Sequence, residues 1–155
     1  MMAIIWSLVL ALAYGCAAAP AQGGPKSAPP GQVIYTADGG EIRMEGWVRD
    51  HPMPAGQEIF IYDVSRGETC STHLIQVRRA EALHVHEHHD LVAVLQKGYG
   101  TLRIGSRRLH VEPGSVVVIP RGTPHSFVSE SPDPAVAFVV FSPPYDGQDT
   151  VPIAE

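Results

Sequence analysis

From residue 33 onward the apolar residues of this chain keep returning at a spacing of two, and no stretch shows the period of a helix. Successive side chains of a strand point to opposite faces, so this period writes half-buried strands. VIYT (33–36) and EIRMEGWV (41–48) alternate around a Gly-Gly turn, and EIFIYDV (58–64) and STHLIQVRR (71–79) flank SRGETC. LVAVL (91–95) is a continuous apolar run, as in a fully buried strand. GTLRIG (100–105) and RRLHVE (107–112) meet at Gly105-Ser106, a two-residue hairpin signal. Pro113-Gly114 is a turn, with φ preset at the proline and positive φ open to the glycine. SVVVI (115–119), HSFVSE (125–130) and AVAFVVF (135–141) complete the series. Roughly ten short strands broken by Gly and Pro predict an all-β fold, a sandwich or a small antiparallel β-barrel.

A chain of 155 residues with no internal repeat suggests one such domain, here 33–155. The formal charge is −5 and no basic stripe or like-charge run is present, so nucleic acid is not an expected partner. No charged side chain occurs before Lys26, and residues 3–13 are apolar apart from Ser7. Small residues follow, which reads as a signal segment over 1–21. The strong apolarity fades after Tyr14, short of the ~20 residues a membrane span needs. AYGC (13–16) resembles the bacterial lipobox, which implies lipid on Cys16 and export to the periplasmic side; Ala17 rather than Asp then favours the outer membrane. The alternative is ordinary signal cleavage, for example after Ala21, and a soluble periplasmic or secreted protein. Membrane contact is expected only through that N-terminus. Residues 22–32 are a Pro/Gly-rich linker that cannot bury an apolar face. Cys70 is then the one remaining cysteine, with no disulfide partner, and reads as a small half-buried residue at a strand start.

HVHEHHD (84–90) holds four of the eight histidines, directly before the buried run. His84 and His86 are two apart at a strand end, so both rings face one side and make two ligands for a first-row metal. Asp90 opens the next strand and can return to the same face. Downstream, GSVVVIPRGTPHSF (114–127) delivers His125 from a Pro-x-Gly-x-x-His turn, which can aim a further imidazole across a barrel. His88 and His89 read as solvated rim positions, and His51, His73 and His110 stand alone. Ser115 and Ser126 lie in strands without a nucleophile-elbow sequence, which disfavours a Ser/His/Asp hydrolase.

These two stretches resemble the first and second motifs of the cupin superfamily, in the right order, and the resemblance spans roughly 56–142. It implies a cupin, or double-stranded β-helix, barrel of jelly-roll type with one divalent transition metal ion inside: Fe, Mn, Ni, Cu or Zn. The implied ligands are His84, His86, Asp90 and His125. The family's usual acid is Glu, and counting back from Gly98 puts Leu91 at the acid position, so His89 or His88 can also supply the fourth ligand. Two functions fit. One is a metal-dependent enzyme of dioxygenase, isomerase or decarboxylase type on a small molecule; the other is a small-molecule binding or sensing module without turnover. Phe127, Phe138 and Tyr62 are expected to face the pocket. Glu81, Glu87 and Arg121 lie near the motifs without a spacing that compels a role. A homodimer is the expected assembly.

Overall fold

In the computed structural model residues 32–154 are described. The segment read as signal (1–21) and all but Gln32 of the linker (22–32) lie outside them, as does Cys16. The elements are β1 (Val33–Tyr35), β2 (Glu41–Arg43), α1 (Met44–Asp50), β3 (Ile59–Arg66), β4 (Ser71–Val77), β5 (Ala80–Val85) and β6 (Asp90–Lys97). After them come β7 (Gly100–Ile104), β8 (Arg107–Val111), β9 (Val116–Ile119), β10 (His125–Ser129), β11 (Ala135–Ser142) and β12 (Val151–Pro152). β1 and β2 form a small hairpin sheet. Two five-stranded sheets carry the rest, in the orders β12-β5-β10-β7-β8 and β3-β4-β11-β6-β9. The strand pairs are antiparallel.

The turns form where the glycines permit them. Ile104 pairs with Arg107, which leaves Gly105-Ser106 as the hairpin loop, and Gly105 takes φ +58. At Pro113-Gly114 the Ser115 N–H donates to Glu112 O at 2.9 Å, and Gly114 sits at φ +93, as a type II turn requires.

Between the two large sheets lies a cavity of about 100 Å³. Leu91, Leu95 and Val139 line it from one sheet, Leu102 and Phe127 from the other. The outward face of the β3-β4-β11 side is buried as well, under α1: Met44 and Trp47 pack on Leu74 and Val136, with Tyr62 and Phe138 beside them. Phe127 therefore faces the cavity as expected, but Tyr62 and Phe138 face away from it. Both faces of that sheet are apolar, so alternation alone does not say which is inside.

Residues 41–48 do not form the single strand that their alternation predicts. The strand stops at Arg43, and Met44–Asp50 coil into α1. Met44 and Trp47, three apart, fall on one helix face and are the residues this segment buries. Ile42, Met44 and Val48 continue a period of two without being used as one.

Candidate metal centre

His84 lies in β5, and His86 follows one residue beyond its end. His125 opens β10 and is the cross-strand partner of His84. The second motif's turn docks on the first: Gly122, at φ +72, donates its N–H to His86 O at 2.6 Å. The three rings stand with centroids 4.2 to 5.3 Å apart. All three side chains are buried, and one ring nitrogen from each lies within 4.8 Å of the other two.

The opposite nitrogens fix the tautomers. His84 Nδ1 is 2.8 Å from Ala82 O, His86 Nδ1 is 2.8 Å from Asp149 O, and His125 Nδ1 is 2.9 Å from Thr123 O. A carbonyl oxygen only accepts, so each Nδ1 carries a proton and donates, and in the neutral ring each Nε2 keeps a bare lone pair. Burial pushes the His86 imidazole below its usual range. It pushes His125 to about 4, against the Thr123 carbonyl and with help from the neighbouring rings. Neutral rings with outward-held Nδ1–H groups are the form in which histidines ligate metals. The Nε2 atoms of His84 and His86 are 3.4 Å apart. Two nitrogens bound at ~2.0–2.1 Å to one tetrahedral ion stand ~3.3–3.4 Å apart. Three histidines are thus positioned to bind one metal ion.

Asp90 is not brought to this cluster. It opens β6 on the outside and meets the Arg121 N–H at 2.9 Å and Arg121 Nη2 at 3.0 Å. The bonds from the Arg121 side chain and backbone hold its carboxyl below the usual range. Leu91, the next residue, takes the inward position and lines the cavity. Strand alternation sends neighbours to opposite faces, so only one of the two can point in.

His88 is exposed, as a rim residue would be, but His89 is buried. His89 Nδ1 lies 2.5 Å from Asp149 Oδ2, and its Nε2 lies 3.3 Å from Pro144 O. Asp149 also accepts the N–H groups of Glu87 at 3.0 Å and His88 at 2.9 Å. Burial alone would raise the Asp149 carboxyl; the bonds from His89, His88 and Glu87 outweigh it and hold it at about 2. Asp149 thus fixes the whole 86–89 turn, through its side chain and its own carbonyl. No motif marked it.

Glu81 stands beside the trio. Its Oε1 is 3.8 Å from His84 Nε2, and with His86 and His125 it is one of three polar residues on an otherwise apolar cavity lining. Burial pushes its carboxyl up, while His84 draws it back down.

The remaining histidines have structural partners. His51 stacks on Trp47, with centroids 4.9 Å apart. His73 is buried, with Nε2 2.7 Å from Ser71 Oγ and Nδ1 2.8 Å from Asp63 Oδ1, the latter outside hydrogen-bond geometry. That trio has the residue types of a hydrolytic triad. Ser71 is fully buried, however, and its Oγ accepts the Tyr145 N–H at 2.9 Å, so no substrate reaches it. Cys70 is free and half-buried.

Residues 72–141 match the family model described as Cupin domain. An uncharacterized protein of Aquifex aeolicus is 30% identical over 95 residues, covering 61% of this chain and 78% of that protein. KdgF from Halomonas sp. superposes with a TM-score of 0.57 at 23% identity, over 63% of this chain and 91% of its own. An uncharacterized conserved protein with a double-stranded β-helix domain from Klebsiella pneumoniae gives a TM-score of 0.57 at 20% identity, over 70% and 94%. At such identities the solved structures speak to the fold alone. They share the fold, which for the Klebsiella protein is a double-stranded β-helix, and the match to the Cupin domain model spans residues 72–141 of this chain.

Proposed function

We propose that this protein is an exported metal-binding cupin, in which His84, His86 and His125 hold one divalent transition metal ion beside a small-molecule cavity. The observation that carries this is the set of three buried imidazoles whose Nδ1 atoms are tied to carbonyls while their free nitrogens converge. With each Nδ1 turned to a carbonyl, the Nε2 atoms of neutral rings are the lone pairs left to meet a cation. Imidazole nitrogen suits Fe, Mn, Ni, Cu or Zn. Bound there with positions left open, such an ion supplies Lewis acidity and a place for an oxygen-donor substrate or O2. The chain supplies the rest: the trio fixes position, Asp149 keeps the His86 turn in place, and the aliphatic wall excludes water. A reaction of dioxygenase, isomerase or decarboxylase type on a small molecule fits that arrangement. A second reading, capture or sensing without turnover, is favoured by the cavity itself, which is small and has Glu81 as its one carboxylate.

Purified without chelator, the protein should carry close to one transition metal ion per chain by elemental analysis. Trace metal only, even after reconstitution with Fe, Mn, Ni, Cu and Zn, would sink the reading. A substrate screen under O2 then separates turnover from capture.

Two further parts of the reading concern surroundings. The uncharged segment before Lys26 and AYGC support export and lipid anchoring through Cys16; a fatty-acid label present on the wild type and missing from Cys16→Ser is the expected result. Among the described residues no helix is long and apolar enough to cross a membrane. β9 is a sheet edge, and its Val116 and Val118 are 62% and 65% exposed. We propose that a second copy covers them, so Val118→Lys should shift a dimer to monomer in light scattering; a wild-type monomer would refute the pairing.

A further inference from the structure

We propose that Glu81 is the fourth ligand of the centre, the part that the sequence assigns to Asp90. The inference rests on the three-histidine reading above and adds an oxygen donor to it. Glu81 Oε1 is 3.8 Å from His84 Nε2, the nitrogen His84 has free, and the carboxylate lines the same cavity as His86 and His125. Glu81 and His84 are three apart in one strand, and strict alternation would send them to opposite faces. A β-bulge prevents this. His125 pairs with His84, yet Phe127, two residues on, pairs with Glu81, three residues back. The extra residue in β5 turns Glu81 onto the face of His84, and Leu83 and His84 are buried side by side as a result. Among the described residues no Lys or Arg is paired with Glu81. Asp90 has its charge matched by Arg121 on the far side of the strand. His84 is the basic group beside the Glu81 carboxyl, and an ion held by the histidines would place a full cation within its reach.

The test uses the full-length protein stripped of metal and titrated with Co(II), whose visible absorption reports the number and kind of ligands. Glu81→Ala should lower Co(II) affinity by more than the ~10–100-fold that loss of an outer partner costs, and should change the intensity and position of the visible bands. Glu81→Gln, which keeps the packing and an amide oxygen, should lose less affinity but still shift the bands. Asp90→Asn should match the wild type in both. Melting of each metal-free variant controls for folding, and Glu81→Gln carries the spectrum if Glu81→Ala does not fold. Wild-type bands in both Glu81 variants, whatever their affinity, would overturn the assignment while leaving the histidine centre intact, provided His125→Ala has lost the metal. A wild-type protein that takes up no Co(II) overturns the centre and Glu81 with it.

Discussion

Two kinds of buried histidine stand side by side here and are treated in opposite ways. His84, His86 and His125 each spend one nitrogen on a carbonyl and leave the other without a donor, facing its two neighbours. His89, three residues past His86, has oxygen acceptors at both nitrogens, Asp149 on one side and Pro144 O on the other. With an oxygen beside each nitrogen, both polar edges of the ring are already occupied. Burial and motif membership therefore do not make a histidine a ligand; what its second nitrogen meets does.

Substitutions can break that contrast or sharpen it. The largest effect is expected at the trio: His84→Ala or His125→Ala should abolish stoichiometric metal, whereas His89→Ala should leave close to one ion per chain by elemental analysis. Loss of metal in His89→Ala with retention in His84→Ala would reverse the assignment.

Next comes Asp149→Ala, which removes the buried partner of His89 and the acceptor of two backbone N–H groups. Leaving buried donors without their acceptor costs about 1–3 kcal/mol each, readable in urea unfolding. Metal affinity should fall less than in the trio variants, because His86 bonds to the main-chain carbonyl of residue 149, which alanine keeps.

Acid should then separate the two sets in the metal-free protein. His125 is held at about 4 against an ordinary 6.5. The unfolded chain therefore takes up that proton first, and stability is full above about 6.5 and falls as pH drops towards 4. The loss approaches about 3 kcal/mol. Asp149 is held at about 2 against an ordinary 3.8, so its contribution persists through that window and is lost only below it. Chemical denaturation across the pH range should show the two losses in that order, and His125→Gln should flatten the first. The smallest effect is Asp90→Asn, which should leave metal content and the unfolding midpoint unchanged, since the Arg121 pair is solvent-exposed.

Much of this was legible in the residues. The alternation and the Gly/Pro turns placed nearly every long strand, because a half-buried strand must alternate. His84, His86 and His125 were legible for the same reason, with the turn at Pro120–Gly122 aiming the last. Asp90 was misplaced because one extra residue before Gly98 reverses strand parity, and Leu91 takes the inner face. Asp149 left no local sign; it reaches His89 from 60 positions away. β12 is two residues long and includes a proline, too little to show a period. Nothing in the residues sends Tyr62 and Phe138 to the outer cluster, because a sheet buried on both faces offers no polar side to orient it.

The bulge in β5 has a consequence for how such a barrel can change over generations. Point substitutions at Glu81 exchange one side chain for another at a fixed place. Loss of a single residue between Glu81 and His84 would instead leave the two residues two apart, so a bulge-free strand would still carry the acid and the histidine on one face. The acid's inward position thus depends on spacing and bulge together: three residues with one bulged, or two with none.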